Sequence, residues 1–505
     1  MENKRTIDER RYMMAICLMS FLFVLICSTT TTPLMGIPHG GDSAMFQTIG
    51  KYWVQGVRPY TGLWDSKGPM IFLINAIGYL LTGTRMGVFF LQVCNMAVTS
   101  LLAYRMLRIR FAENTAFAGT LLFLVAISQN YQIGNTVEEY CLPLLMLSFL
   151  MIYRWSCSWC NDGETKHPPR MAFVYGLCFA VCFLTRITNA IGLCAAVFVI
   201  VCVLIINRRW HNLAANAAAF IGGTVLGVLP FVLYFAAYGE LGEMWYGTIA
   251  YNLEYAGASS LRWNSTISVL QGLLGFSVVI CSLVVGIILV FFGGNHRKHG
   301  CIWFFSAGML LVYLFNTNGF LHYGLIAAPL LPVILLEFNH LFSCVNRGIK
   351  CVALRCIYLL LCIALLGSGA LGIKNTLSAY YYEYYRIARG VDVEPNEAAV
   401  SLVKKIPQEE LTSFAAYNCK DGLYLHLDAC PEYRFFTMQD WAAKCSTTLK
   451  PKILDEYRNG NAKWVLFATG SDQDVYEIIQ SRYTLWDQVQ IPYSKEYYQL
   501  FKLNE

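Results

Sequence analysis

Long apolar runs alternate with short polar loops over most of this chain, and the runs have the length of membrane spans. About 20 predominantly apolar residues are needed to cross ~30 Å of hydrocarbon. Eleven stretches read as spans, near 13–32, 85–104, 113–128, 140–155, 171–187, 189–206, 213–238, 266–292, 301–316, 321–337 and 353–373. The first has no small-residue cleavage site and precedes many others, so it reads as an anchor rather than a removed signal. Met70–Leu81 is apolar as well, but as a helix at 1.5 Å per residue it reaches only about 18 Å. That length predicts an interfacial or re-entrant helix ahead of the second span. After Tyr380 the pattern breaks. Tyr380–Arg386 (YYYEYYR) reads as an interfacial aromatic belt, followed by the short apolar runs Phe414–Tyr417, Trp464–Ala468 and Tyr497–Leu503. Ser471–Tyr483 has a helical pattern with Ser471 placed to cap it. The expected architecture is a polytopic all-α membrane domain of about eleven helices at 1–375, with a first loop at 33–84, and a small extracytoplasmic α/β domain at 376–505.

Composition agrees with the pattern. The 505 residues are 56% hydrophobic and only 14% charged, against about 25% charged in a soluble protein. Where the charge lies matters more than the net +6. Lys and Arg gather at the N-terminus (Lys4, Arg5, Arg10, Arg11) and in alternate loops: Arg105/Arg108/Arg110, Arg154/Lys166/Arg170, Arg208/Arg209, Arg297/Lys298 and Arg347/Lys350/Arg355. The loops at 129–139 and 316–320 carry none. The positive-inside bias therefore makes the N-terminus cytoplasmic and puts the Asp42 loop, the Glu138 loop, residues 239–265 and the C-terminal domain outside. A multi-pass protein of the bacterial plasma membrane is expected, although the same topology suits an endoplasmic-reticulum membrane. No nucleic-acid partner is expected. Among 19 cysteines, only Cys419, Cys430 and Cys445 fall in the polar C-terminal part, where one pair among them is free to oxidise. Cys157-x-x-Cys160 is a lone pair without a second and reads as span content, with a metal or redox site as the lesser alternative.

An ionisable cluster beside a bilayer is expensive to keep, so it reads as a site. The stretch Gly40–Pro69 carries Asp42, Arg58, Asp65 and Lys67, with Trp53, Tyr60 and Trp64 between them. On the expected topology, Asp42 and Lys67 share the outer side with Glu138 and Glu139, Arg186 in FLTRITN, Arg262, and His322 and Tyr323. Transfer of a sugar from a lipid-phosphate donor uses such a set. Phosphate leaves without a general acid, one carboxylate takes the acceptor proton, and cations stabilise the departing charge. A single displacement of this kind inverts the anomeric centre.

The first loop, an acid followed by GKYWVQGVRPYTGLWDSKGP (Gly50–Pro69), resembles that of the GT-C glycosyltransferases, nearest in pattern to the bacterial protein-mannosyltransferase-like group and the aminoarabinose transferases that modify lipid A. NTVEEYCLP resembles their second acidic site, FLTR their basic position, and HYGLIAAPLLP (His322–Pro332) their late helix; the likeness covers roughly Met13–Glu337. The resemblance implies a polyprenyl-phosphate-linked sugar as donor, Asp42 as catalytic base, Glu138 or Glu139 as second acid, and Lys67 and Arg186 as donor-phosphate contacts. Arg58, Arg262, His322 and Tyr323 complete the candidate phosphate set. The acceptor is a lipid, glycan or protein. Asp42-Ser43 and Lys67-Gly68-Pro69 depart from the Asp-Glu and Lys-Pro-Pro of many relatives. A divalent cation, Mg or Mn, has an oxygen-rich candidate set in Asp42, Glu138 and Glu139 with His39.

Each residue also has a structural reading. Asp42 can cap the helix Ser43–Val54, and Lys67 and Arg58 can reach lipid headgroups. Glu138 and Glu139 sit where acids favour a helix start, and His322 is equally a helix-end histidine. Asn264-Ser265-Thr266 matches a glycosylation sequon, which is frequent by chance. The rival function is a transporter or flippase of a lipid-linked sugar or other anion. It calls for internal repeats and midplane charges, whereas the charges here gather at one face.

Overall fold

The computed structural model describes residues 2–36, 41–258, 276–315, 320–344, 349–389 and 395–504. Within these, helices occupy the apolar runs. They begin with α1 (Glu2–Cys27), α2 (Asp42–Val54), α3 (Pro69–Thr82), α4 (Arg85–Leu107), α5 (Glu113–Tyr131), α6 (Leu142–Asn161), α7 (Pro169–Thr185), α8 (Ile191–Ile206) and α9 (Trp210–Ala237). Helices Ser277–Phe292, Arg297–Phe315, Leu330–Cys344 and Ile349–Arg389 follow.

All eleven expected spans fall on helices, the eighth described only from residue 276 onward. Among the described residues, however, seven helices are long and apolar enough to cross a membrane, or eight if Leu321–Ala327 and Leu330–Phe342, bent by 52°, count as one span. Helices such as α7 and Ser277–Phe292 are shorter. Met70–Leu81 lies inside α3, which starts with Pro69 at its first position and stops at Gly83 in the left-handed region. The aromatic run at Tyr380 continues the helix of the last apolar span rather than following it. It is the last part of Ile349–Arg389, with Tyr381, Tyr382 and Tyr384 exposed.

Two compact units emerge. One gathers residues 1–28, 90–233 and 261–377. It is a helical bundle in which helix Arg297–Phe315 packs between α8 and Ser277–Phe292. Its core includes Trp303, stacked on Phe149 with ring centroids 5.8 Å apart.

The other unit gathers residues 29–89, 234–260 and 378–505. In it, α3 meets the start of α4 so closely that a Cβ on Gly87 would sit 1.8 Å from the Gly78 carbonyl oxygen. This unit also holds a four-stranded sheet, in which β1 (Phe414–Tyr417), β2 (Trp464–Ala468), β3 (Tyr483–Gln490) and β4 (Tyr497–Leu503) lie in the order β1-β2-β4-β3. β1 and β2 are parallel, with Phe414 opposite Trp464, and the other pairs are antiparallel. Both parallel strands are buried at every position, as expected for strands covered on two faces. The helix after β2 is capped by Asp472, whose side chain accepts from the Asp474 amide at 2.9 Å. Ser471, the expected cap, instead receives a hydrogen bond from Asn418. Cys419, Cys430 and Cys445 are free thiols.

Candidate functional site

The first constellation lies within the unit that contains the first loop. Asp42 is the first residue of α2, and the N-cap position is held by Gly41, which has no side chain to cap with. The capping role allowed by the sequence is therefore unfilled, and the carboxylate is 43% exposed. It sits in the first helical turn, where the partial positive charge of the helix start favours an anion. Lys67 Nζ lies 3.8 Å from Asp42 Oδ2 and 3.9 Å from Asp65 Oδ1. One ammonium thus stands between two carboxylates. Asp65 is buried, and burial raises its carboxyl pKa, opposed by Lys67 and reinforced by Asp42.

The backbone around Lys67 is tightly held. The Tyr60 hydroxyl donates to the Lys67 carbonyl at 2.7 Å and lies 3.2 Å from the Thr248 hydroxyl. Asn252 donates to the Ser66 carbonyl at 2.7 Å, and the Trp64 amide donates to the Arg434 carbonyl at 2.9 Å. Arg58 points elsewhere: its Nε donates to Glu240 at 2.7 Å, and its guanidinium lies over the Tyr238 ring.

A third acid reaches Asp42 from far along the sequence. Asp421 accepts from Thr437 at 2.6 Å and from the Gly41 backbone, and it interacts electrostatically with Asp42. Burial again raises its pKa. Asp65 stood in the motif without being chosen as a site residue, and Asp421 had no local signal at all.

The second constellation lies within the helical unit. Glu138 and Glu139 precede α6 in a short 3-10 turn, which sends their side chains to different partners. Glu139 is buried with both oxygens engaged. Oε1 accepts from the Tyr131 hydroxyl at 2.8 Å, and Oε2 accepts from Gln92 at 2.9 Å and from the Asn135 amide at 2.8 Å. Such a carboxylate fits poorly as a metal ligand. Glu138 is also buried, but only Oε1 is paired, 3.4 Å from Arg186 Nη1, while Oε2 has no hydrogen-bond partner. The Arg186 guanidinium lies 3.8 Å over the Tyr323 ring. Beside it, His322 Nδ1 contacts Gln132 at 2.9 Å. The loop that shapes this corner needs Gly134, where φ is +74° and a Cβ would meet the Ser28 hydroxyl oxygen at 2.3 Å. Glu138, Arg186, Tyr323 and His322 thus share one region. Arg262, His39 and the Asn264 sequon lie outside the described residues.

Residues 66–235 match the model of the dolichyl-phosphate-mannose-protein mannosyltransferase family. No curated protein sequence matches the chain. Among solved structures the chain is similar to ArnT from Cupriavidus metallidurans bound to undecaprenyl phosphate, with 13% identity, 97% of each chain covered and a TM-score of 0.54. The apo state of the same protein gives 14% identity, the same coverage and a TM-score of 0.52. The apo Archaeoglobus fulgidus oligosaccharyltransferase is also similar, with 13% identity over 90% of this chain and 69% of that one and a TM-score of 0.50.

Proposed function

Because the chain has the fold of the GT-C membrane glycosyltransferases, we propose that it is an inverting enzyme that moves a sugar from a polyprenyl-phosphate donor to a hydroxyl or amine acceptor at the outer membrane face. The observation that carries this reading is the Asp42–Lys67 pair: a half-exposed carboxylate at a helix start with an ammonium 3.8 Å away. Asp42 takes the acceptor proton as the acceptor atom bonds to the anomeric carbon. The bond from that carbon to the phosphate oxygen breaks, and the phosphate leaves with the electron pair. Negative charge grows on the phosphate, and cations stabilise it.

Lys67 is proposed for that role, as a point charge. Arg186 is proposed as a second donor-phosphate contact, its fork suited to two phosphate oxygens. Glu138, with one unpaired oxygen, is proposed as the second acid in preference to the fully engaged Glu139. The likeness of residues 66–235 to a mannosyltransferase family that uses dolichyl-phosphate-mannose, and of the fold to a protein bound to undecaprenyl phosphate, supports a lipid-phosphate donor. No observation favours the transport of a lipid-linked sugar.

Asp42→Asn tests the reading. Purified protein is given a panel of synthetic polyprenyl-phosphate hexoses and pentoses with membrane acceptors, and released polyprenyl phosphate is measured. A lost general base should cost about 10²–10⁴-fold in rate, with donor binding and melting temperature unchanged. Transfer by the variant at the wild-type rate overturns the assignment.

A further inference from the structure

A second buried ionisable cluster in the helical unit lies a helix length away from Glu138. His296 closes the turn before helix Arg297–Phe315, His299 belongs to that helix's first turn, and Glu337 comes from helix Leu330–Cys344. All three are buried, and the side chains of His299 and Glu337 are 0% exposed. His299 Nδ1 lies 3.5 Å from one Glu337 oxygen, and His296 Nδ1 lies 3.6 Å from the other. Both separations exceed the 2.7–3.2 Å of an N–H···O hydrogen bond. By distance and angle neither Glu337 oxygen, nor His296 Nδ1, nor His299 Nε2 makes a well-formed hydrogen bond, although the Tyr153 hydroxyl and His296 both lie close enough to Glu337 to act on it. A buried carboxylate with no well-formed hydrogen bond is costly and rare.

The spacing has another explanation. Two donors bound at ~2.1 Å to one tetrahedral ion stand about 3.4 Å apart, close to each imidazole–carboxylate separation taken singly, the two running to different oxygens of Glu337. One ligand atom from each of the three residues lies within 4.8 Å of the others. We propose that His296, His299 and Glu337 bind a divalent transition metal, with zinc the best match. Two imidazoles and one carboxylate are borderline-soft and hard donors that suit Zn(II) better than Mg or Ca.

Neighbouring groups frame the site. The Ser156 hydroxyl lies 3.3 Å from His299 Nδ1, and the His340 ring stacks on His296 with centroids 3.4 Å apart. Cys160 of the lone Cys157-x-x-Cys160 pair takes a hydrogen bond from the His299 backbone, and Cys157 interacts electrostatically with Glu337. That pair therefore borders the cluster without joining the ligand set, and a water would complete the fourth position. Arg110 also acts electrostatically on Glu337, yet among the described residues no ion pair joins them.

Ser156 follows Glu139 by 17 positions, about 25 Å along a helix. The metal is thus remote from the Glu138–Arg186 pair and has a structural role, tying the start of helix Arg297–Phe315 to helix Leu330–Cys344. This site does not depend on the glycosyltransferase reading.

The test uses full-length, Strep-tagged protein purified in detergent without chelator and analysed by mass spectrometry for metals. About one zinc per chain is expected. Glu337→Gln and His299→Gln should each lower it at least tenfold, whereas Asp42→Asn should retain it. Stripped wild-type protein given cobalt(II) should show visible d–d absorption, and given zinc should melt at a higher temperature. If the variants fail to fold, the cobalt spectrum of the wild type decides. Wild-type protein that is metal-free, gains no cobalt bands and shows no melting shift with zinc overturns the proposal and leaves a His–Glu ion pair.

Discussion

Glu138 and Glu139 are sequence neighbours in opposite circumstances. Glu139 accepts three hydrogen bonds and ties Tyr131, Gln92 and the loop at Asn135 together, whereas Glu138 has one distant arginine and an unpaired oxygen. In Glu139→Gln, the new amide nitrogen would face donors that need an acceptor. An unsatisfied buried group costs roughly 1–3 kcal/mol, so this variant should melt well below wild type in detergent. An unchanged melting temperature would remove the structural role assigned to Glu139. Nothing in the sequence separates the two acids, because which one turns inward depends on a 3-10 turn whose partners lie up to 47 residues away. The same limit hid Asp421. Its place beside Asp42 comes from the folding of residues 378–505 onto the first loop within one unit, and no local spacing announces it.

At the level of elements, apolar patterning was the legible signal. Phe414–Tyr417, Trp464–Ala468 and Tyr497–Leu503 stand out as runs and are strands β1, β2 and β4. β3 was not singled out, since its outer face is exposed and mixed, including Leu485 and Trp486. The misplaced cap shows the same weakness at finer grain: Ser471 and Asp472 are both good N-caps, and Ser471 is drawn away by Asn418. The helix Leu449–Asn459 carries a titratable consequence. Burial lifts the Glu456 carboxyl to about 7 from 4.5, opposed by the Phe435 amide and by Arg434. Its folded-state pKa is raised, so between pH 4.5 and 7 the folded chain holds a proton that the unfolded chain releases. Stability from this group therefore falls as pH rises through that window, by up to roughly 3 kcal/mol at 1.36 kcal/mol per pKa unit. Glu456→Gln should flatten the decline in melting temperature from pH 5 to pH 8 and melt higher than wild type at pH 8. Parallel pH profiles for the two proteins would refute it.

For the whole molecule, the span count and the charge pattern constrain each other. Among the described residues seven or eight helices qualify as spans by length and composition, while the apolar pattern of the sequence gives eleven. The basic loops argue for the larger number. If α7 did not cross, Arg154, Lys166 and Arg170 would lie on one side of the membrane and Arg208 and Arg209 on the other. If α5 did not cross, Arg105, Arg108 and Arg110 would be parted from Arg154 in the same way. Keeping every Lys/Arg-rich loop on one side requires each of these helices to span, although α7 has only 17 residues, about 25 Å at 1.5 Å per residue. With eleven crossings the two ends of the chain would lie on opposite sides, and the prediction is that the C-terminal sheet lies outside. In a bacterial host, alkaline phosphatase fused after Glu505 should be active and green fluorescent protein there dark. Green fluorescent protein inserted at Asn207–Arg209 should fluoresce. A fluorescent C-terminal fusion would make the number of crossings even and put the sheet on the cytoplasmic side. Since Asp421 belongs to the segment that carries the sheet, the same result would move the Asp42 site to that side and rule out sugar transfer at the outer face.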